Sequence, residues 1–153
     1  MRIEVNGETA FCYTNSRDIE ADKPTVVFIH GSGMDHTVWT LASRHFARRG
    51  NNVVSLDLPS HGRSTGSPLA TVEEMASWVI AVLDALDITD AALVGHSLGS
   101  LIALECAASN KDRVRAIALV GTTSPMPVSD AILNAAEADD HAAFDMLTQW
   151  GFS

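Results

Sequence analysis

The sequence predicts an α/β fold, in which a mostly parallel β-sheet carries helices on both of its faces. Two observations lead to this prediction. Short, continuous apolar runs, typical of strands buried on both faces, alternate along the chain with longer segments whose apolar residues follow helical spacing. In addition, the 153 residues are 46% hydrophobic and 19% charged, which suits one packed core and excludes a disordered or collagen-like chain. Parallel strands in such a fold are joined by right-handed crossovers.

The chain begins with a predicted antiparallel hairpin. Residues 2–5 and 8–13 alternate between polar and apolar side chains around Asn6-Gly7, a dipeptide that favours the tight turns of hairpins. A polar connection over residues 15–23 follows. Residues 25–29 (Thr-Val-Val-Phe-Ile) then form a short, continuous and mostly β-branched run. They predict the first strand that is buried on both faces.

The first long helix is predicted from Val38 to the residues just before Gly50, a residue suited to a C-terminal cap. Its apolar positions at helical spacing are Val38, Leu41, Ala42, His45 and Phe46. These positions predict the face that the helix turns towards the sheet.

A second β–α unit follows. Residues 52–56 predict another buried strand, and Pro59 and Gly62 mark the loop after it. Thr71 and Glu74 form a predicted capping box, which begins an amphipathic helix. The apolar stripe of that helix consists of Val72, Met75, Ala76, Val79, Val82, Leu83 and Leu86.

The rest of the chain continues the alternation and then changes. Residues 91–94 predict a third buried strand, residues 98–108 a largely apolar helix, and residues 115–120 a fourth strand. Two short helical stretches, over residues 130–138 and 142–150, end the sequence without a further strand.

Composition argues against several classes of partner and location. Ten Lys and Arg residues against nineteen Asp and Glu give a formal charge of −9, with no basic run, so nucleic acid and anionic membranes are poor candidates. Glu4 and Glu8 lie where a signal peptide needs apolar residues. The uncharged stretch over residues 91–104 is too short to span a bilayer. Cys12 and Cys106 have no C-x-x-C spacing, which favours reduced thiols in a cytoplasmic protein.

Residues 95–99 (Gly-His-Ser-Leu-Gly) match the G-x-S-x-G pattern between a predicted strand and a predicted helix. In that position the glycines permit a sharp turn that holds a serine hydroxyl above the sheet, at the positive end of the helix dipole. We therefore predict Ser97 as a catalytic nucleophile. The alternative is that Gly and Ser only cap a helix.

Residues 30–33 (His-Gly-Ser-Gly) follow the strand over residues 25–29 and suit an oxyanion hole. The backbone N–H of Leu98 and that of Ser32 or Gly33 would stabilise a tetrahedral intermediate if the two strands are neighbours. The alternative is an ordinary tight turn.

Together with residues 57–64 (Asp-Leu-Pro-Ser-His-Gly-Arg-Ser), these two motifs resemble, in order and spacing, the N-terminal part of α/β-hydrolase-fold serine hydrolases of the esterase and lipase type. The usual pattern of the middle motif is D-x-P-G-x-G-x-S, from which Ser60 departs. The resemblance implies the strand order 1-2-4-3-5-6 and a bracing role for Asp57 and His61. It also implies a hydrolase core over residues 1–124, with the start of a helical lid over residues 125–153.

The resemblance leaves the catalytic base unassigned. The family places an Asp or Glu and then a His after the nucleophile, but the only later histidine is His141, on a predicted polar helix face. The chain thus resembles a fragment, half of a split enzyme or a subunit. The strand over residues 115–120 would be an exposed apolar edge, so we expect self-association or pairing with a second chain.

The predicted function is hydrolysis of an ester or similar small acyl substrate through a Ser97 acyl-enzyme, with no cofactor and no metal. Met34, Met126 and Trp150 are candidate lining residues of the substrate pocket, the alternative being ordinary core or lid packing. Related dehalogenases and epoxide hydrolases have an Asp nucleophile where this chain has Ser97, so these activities are disfavoured.

Two alternatives from other classes remain at this point. In the first, residues 31–33 and Asp57 belong to a dinucleotide-binding Rossmann unit, although the third glycine of that fingerprint would fall at His36. In the second, the chain is a non-catalytic half-domain that retains the serine turn without a base.

Overall fold

Six strands form one sheet. They are β1 (Arg2–Val5), β2 (Glu8–Tyr13), β3 (Thr25–Ile29), β4 (Asn52–Leu56), β5 (Ala91–His96) and β6 (Val114–Val120). Their order is β1-β2-β4-β3-β5-β6. The hairpin strand β2 pairs antiparallel with β1 and β4, whereas β4, β3, β5 and β6 are mutually parallel. The mostly parallel sheet confirms the predicted fold class, and its order is the one that the resemblance implies.

The structure is a computed structural model and describes residues 1–123, 125–138 and 141–150. Its helices are α1 (Thr40–Arg48), α2 (Val72–Ala85), α3 (Leu98–Ser109), α4 (Asp130–Glu137) and α5 (Ala142–Trp150). A 3₁₀ turn over His36–Trp39 precedes α1. The predicted capping box is present at α2, where the side chains of Thr71 and Glu74 each accept a hydrogen bond from the other residue's backbone N–H.

The sheet is packed on both faces because successive side chains of a strand point to opposite sides. In β3, Val27 and Ile29 join a large core cluster with residues of α2 and α3. Val26 and Phe28 join a smaller cluster with Ala47 of α1 on the other face. Strands that are buried on both faces are therefore continuously apolar, as the sequence predicted.

The predicted apolar face of α1 is partly wrong. Leu41 is 81% exposed and Val38, in the 3₁₀ turn, is also exposed, whereas Ser43 and Ala47 are buried. Within α1 the inward side is formed by Ser43 and Ala47 with their helical neighbours, and at about 100° per residue Leu41 and His45 lie on the other side of the helix, where both are exposed. Phe46 and Ala42 do pack against the core.

Strand β6 lies at one edge of the sheet. Only Val114 in this strand is buried, and the exposed residues include Ile117, Leu119 and Val120. Among the residues that the structure describes, β6 pairs with β5 alone, so its other side presents unpaired backbone groups beside apolar side chains.

The chain separates into two units, Met1–Thr122 and Thr123–Ser153. The first contains the sheet with α1, α2 and α3, and the second contains α4 and α5. This division lies two residues before the boundary predicted after residue 124. None of the helices in the described ranges combines the length and the hydropathy needed to cross a lipid bilayer.

Candidate active site

Ser97 is the single residue between β5 and α3. Its backbone has φ 52° and ψ −119°, a conformation that side-chain-bearing residues rarely adopt. Such a conformation costs about 1–3 kcal/mol and persists only where the surrounding structure imposes it. The sharp strand-to-helix turn predicted from the G-x-S-x-G pattern is therefore present.

Two glycines allow this turn because their neighbours leave no space for a side chain. A Cβ atom at Gly95 would overlap the carbonyl oxygen of Gly99, the second residue of α3. A Cβ atom at Gly99 would overlap the carbonyl groups of Ile29 and His30 at the end of β3. The first turn of α3 is thus packed directly against the backbone of β3, which fixes where Ser97 lies.

The backbone of Ser97 is anchored, whereas its side chain is free. The Ser97 N–H donates to the Val120 carbonyl at 2.9 Å, and the Ser97 carbonyl accepts from the Ser100 N–H at 2.9 Å. Within the described part of the chain, the Ser97 hydroxyl makes no hydrogen bond, not even to cap α3. The hydroxyl is therefore open to a base and to a substrate.

The loop after β3 lies against the nucleophile. Strands β3 and β5 are neighbours, with Ile29 opposite Gly95, as the oxyanion-hole hypothesis requires. A Cβ atom at Gly31 would be 3.2 Å from the Ser97 Cβ, so the two backbones are close. Met34 closes the loop by donating its N–H to the Gly31 carbonyl at 3.3 Å.

Three backbone donors around Ser97 have no acceptor among the residues that the structure describes. They are the N–H groups of Ser32, Gly33 and Leu98, the predicted oxyanion donors. Ser32 and Gly33 are exposed, and Leu98 begins α3, where helix geometry leaves the first N–H groups unpaired. Unpaired N–H groups beside a free hydroxyl are what an oxyanion hole requires.

His30 links this loop to the loop after β4. The ring is fully buried, with Nδ1 2.7 Å from the Gly31 carbonyl oxygen and Nε2 3.1 Å from the Leu58 nitrogen. Burial lowers the pKa of His30 below its usual value of 6.5, because desolvation penalises the charged ring. The sequence pattern indicated only a turn motif at His30, because Leu58 is 28 residues away and no local spacing predicts this bridge.

Asp57 braces the loop after β4 and is fully buried. Its Oδ1 accepts from the backbone N–H of His36 at 2.7 Å and from His36 Nδ1 at 2.8 Å, and its Oδ2 accepts from the Arg63 N–H at 2.9 Å. These bonds weaken the dinucleotide-binding alternative. His36 fills the position of the third glycine, and the Asp57 carboxylate is already used within the protein.

Asp35, His36 and Asp57 each bring one possible ligand atom within 4.8 Å of the others, a grouping that could in principle hold a metal ion. Sequence analysis found no metal-ligand spacing because Asp57 is distant in sequence from the other two. The Asp57 oxygens already accept three N–H groups, and the His36 Nδ1 is one of the donors. The geometry is therefore that of a hydrogen-bonded brace.

The predicted pocket residues are not all in one unit. Met34 is half-buried in the loop beside Ser97, and Met126 is half-buried in the second unit. The Trp150 side chain lies outside the described residues. His141 precedes α5, where its side chain is 86% exposed and lies 3.8 Å from Asp145, as expected for a solvated helix face.

Comparison with known proteins extends these observations. Residues 24–153 match the family model described as alpha/beta hydrolase fold. A (E)-2-((N-methylformamido)methylene)succinate hydrolase of Acinetobacter baylyi is 30% identical over 126 residues, which cover 80% of this chain and 48% of the relative. The sn-1-specific diacylglycerol lipase ABHD11 of Danio rerio is 32% identical over 104 residues, which cover 67% of this chain and 33% of the relative.

The solved structure of an N-acyl homoserine lactone degrading enzyme superposes with a TM-score of 0.80 at 27% identity, covering 97% of this chain and 56% of that one. The chain thus spans about half or less of the length of the curated relatives described above. The family match over most of the sequence, the sheet order and the turn at Ser97 agree, and this chain belongs to the alpha/beta hydrolase family.

Proposed function

We propose that this chain carries the nucleophile and the oxyanion hole of a serine hydrolase that cleaves esters through an acyl-enzyme. The observation that supports the proposal most is the juxtaposition at Ser97. A strained, anchored backbone presents a free hydroxyl beside N–H groups that have no partner in the described chain. A serine that only capped α3 would instead accept a hydrogen bond from the helix.

The reaction proceeds in two halves. The Ser97 oxygen attacks the acyl carbon while a base takes the hydroxyl proton, and the carbonyl π electrons move onto the substrate oxygen. The resulting oxyanion accepts hydrogen bonds from the N–H of Leu98 and that of Ser32 or Gly33. Collapse of this intermediate breaks the bond to the alcohol, which leaves with the proton. Water then repeats the sequence on the acyl-enzyme and frees Ser97.

The oxyanion hole and the base contribute separately. Loss of one oxyanion donor lowers kcat about 10²–10³-fold in serine hydrolases. In the described residues no histidine is hydrogen-bonded to the Ser97 hydroxyl. The proposed full activity therefore needs a His and an acid from elsewhere, and without them turnover would be limited to about 10³–10⁴ over water.

The proposed substrate is a small ester. Two of the relatives described above are named as a diacylglycerol lipase and as an N-acyl homoserine lactone degrading enzyme, and both named compounds contain a carboxylic ester. Met34 belongs to the loop whose Gly31 lies close to Ser97 and is the first candidate to contact the acyl chain. Met126 and Trp150 remain proposed lining residues. The excess of acidic residues argues against nucleic acid as a substrate.

We also propose that the chain associates along β6, with a second copy or with another polypeptide. Its exposed apolar residues and unpaired edge suit strand addition.

A cytoplasmic location fits the two cysteines, Cys12 and Cys106. Both are unpaired and buried, and burial raises the pKa of each thiol to about 12, which makes them unreactive.

The experiment is labelling of the chain with a fluorophosphonate probe, together with hydrolysis of p-nitrophenyl acetate, for wild type, Ser97→Ala and Ser77→Ala. Ser77 is an exposed serine of α2 and serves as the matched control. We expect labelling and any turnover above background to disappear in Ser97→Ala and to persist in Ser77→Ala. Equal labelling of wild type and Ser97→Ala would contradict the proposal and favour a non-catalytic module.

A further inference from the structure

Two arginine side chains contact the ring of Phe11, a buried residue of β2. The ζ carbon of Arg63 lies 5.0 Å from the centroid of that ring, and the ζ carbon of Arg2 lies 5.9 Å from it. Both distances are within the range of a cation–π contact. Two groups of like charge therefore share one aromatic ring.

Neither guanidinium group is neutralised within the part of the chain that the structure describes. Several other cations of the chain pair with carboxylates, namely Lys23, Arg113 and Arg115. Arg2 and Arg63 form no ion pair and no side-chain hydrogen bond among the described residues. Glu4 is on the same face of β1 as Arg2, two residues along the strand, and is not within ion-pair distance of it. In a chain with a formal charge of −9, the ring of Phe11 thus carries an uncompensated positive charge.

Backbone contacts bring both arginines to the ring. Arg2 lies opposite Phe11 in the register of β1 and β2. The Arg63 N–H donates to Asp57 Oδ2 at 2.9 Å, and the hydroxyl of the next residue, Ser64, accepts the Phe11 N–H at 2.9 Å. Both side chains therefore start from main-chain segments that are already fixed to the strand of Phe11. A ligand that binds them would not have to order either segment, which favours affinity.

We propose that Arg2 and Arg63 form a binding site for a phosphate group, which we call the Phe11 site. A phosphomonoester has close to two negative charges at neutral pH and three acceptor oxygens, enough for both guanidinium groups. A carboxylate has one charge, and a single arginine fork satisfies its two oxygens. The phosphate dianion is therefore the better match to two unpaired arginines. The inference does not depend on any reaction at Ser97.

The Phe11 site lies at the same edge of the sheet as Ser97. The Phe11 carbonyl accepts the Asp57 N–H at 3.1 Å, so Phe11 is level with the carboxyl end of β4. With the strand order β2-β4-β3-β5 and about 4.8 Å between neighbouring strands, the site is about 15 Å from the turn after β5. The same chemistry can come from the free phosphate ion or from the phosphate of a larger ester, and binding measurements distinguish these two sources.

The first experiment is a titration of the full ¹⁵N-labelled chain with inorganic phosphate and with glycerol phosphate, in phosphate-free buffer at constant ionic strength. We expect saturable shifts of the Arg2 and Arg63 Nε–H signals with a phosphate probe, and a weaker response to acetate. Affinity for glycerol phosphate should fall between pH 7 and pH 5, because the second pKa of a phosphomonoester is about 6.

The two probes identify the source of the phosphate. Tighter binding of glycerol phosphate would assign the Phe11 site to an ester, and equal or tighter binding of inorganic phosphate would assign it to the free ion. Either result supports the site. No saturable shift with either probe, or an equal affinity for acetate, would overturn the proposal.

The second experiment repeats the titration with substituted chains. Arg2→Gln and Arg63→Gln should each raise the Kd about tenfold, because each removes one charged donor group. Arg63→Lys keeps the charge but loses the planar fork, so its loss should be smaller. Arg44→Gln is the matched control, an exposed arginine of α1, and should change the Kd by less than about twofold.

Urea denaturation of the same variants separates binding from simple packing on the ring. A folded Arg63→Gln chain that binds phosphate as tightly as wild type would overturn the proposal, as would an equal loss of affinity in Arg44→Gln. If the Arg2 and Arg63 substitutions lower the free energy of unfolding and wild type binds no phosphate, the two arginines only cover Phe11 and the proposal is wrong.

Discussion

The loops after β4 and after β5 lie on either side of β3. They differ in whether their central polar side chain is hydrogen-bonded within the protein. In the β4 loop, the buried Asp57 carboxylate accepts three N–H groups from His36 and Arg63. In the turn after β5, the Ser97 hydroxyl has no partner in the described structure, and its backbone is held in a strained conformation. Both loops follow buried strands of the same sheet.

The difference shows which groups the protein uses for its own stability and which it leaves for another molecule. Buried polar groups that are fully hydrogen-bonded stabilise a fold, and their removal is costly. Strain and unpaired donors are destabilising by themselves, and they are concentrated where a ligand or a reaction uses them. Removing a member of the hydrogen-bonded β4 network should therefore destabilise the fold, whereas relieving the backbone strain at Ser97 should stabilise it.

The largest expected effect is that of Gly95→Ala. Its methyl group would fill the space that the first residues of α3 occupy beside the turn at Ser97. The new Cβ would overlap the Gly99 carbonyl, so the start of α3 would have to move away from β5. We expect a loss of about 3 kcal/mol or more in the free energy of unfolding, measured by urea denaturation. Gly50→Ala is an instructive comparison. That glycine has open space around it but φ +83°, so its cost is conformational and smaller. Equal losses at both positions would contradict the packing explanation.

Asp57→Asn should break the closed network of the β4 loop. An amide can place its oxygen towards only one side, so either the His36 donors or the Arg63 N–H would face an NH₂ group. We expect about 2 kcal/mol of destabilisation by the same measurement. The control is Asp112→Asn, at an exposed position, which should change stability by less than about 0.5 kcal/mol. A stable Asp57→Asn variant would show that the network is not a brace.

Ser97→Gly should raise the free energy of unfolding, whereas Gly95→Ala and Asp57→Asn should lower it. Glycine adopts φ 52° with ψ −119° at little cost, so the variant should be about 1 kcal/mol more stable than Ser97→Ala, which keeps the strain. Neither variant should be labelled by the fluorophosphonate probe. Should Ser97→Gly prove less stable than Ser97→Ala, the strain at the turn would not be a significant energetic term.

The pH dependence of stability should also involve the β4 loop, because the buried His30 ring, whose pKa is lowered by desolvation, accepts a hydrogen bond from the Leu58 N–H in that loop. Below its usual pKa of 6.5 the unfolded chain binds a proton that the folded chain resists, so stability should decrease as the pH falls from about 6.5 towards the lowered pKa. We expect His30→Asn to reduce this slope in urea denaturation between pH 7 and pH 5. An identical slope in the two proteins would show that His30 is not its origin.

The smallest effect on stability is expected at β6, whose Val120 carbonyl anchors Ser97 from the exposed edge. Leu119→Lys adds a charge at an exposed position, so unfolding should change by less than about 0.5 kcal/mol. We expect wild type to associate and Leu119→Lys to do so less, as measured by light scattering after size-exclusion chromatography. A monomeric wild type at micromolar concentration would contradict the proposed association.

The sequence by itself determined the elements and the position of the nucleophile. The strands are short local runs bounded by turn residues, and β1, β2, β3 and β4 have the predicted limits. The turn at Ser97 depends on five consecutive residues, and the capping box at α2 on four, so both could be predicted from local spacing. The strand order followed from the resemblance of three motifs.

Only the tertiary structure decided which polar groups meet and which face of each element is covered. His30 reaches Leu58, and Asp57 reaches His36, through contacts between residues more than twenty positions apart. The exposure of Leu41 depended on which side of α1 packs against the sheet, and apolar spacing alone did not identify the side with the buried Ser43 and Ala47. Local patterns report backbone preference and amphipathicity, whereas hydrogen bonds between loops depend on how the sheet brings distant segments together.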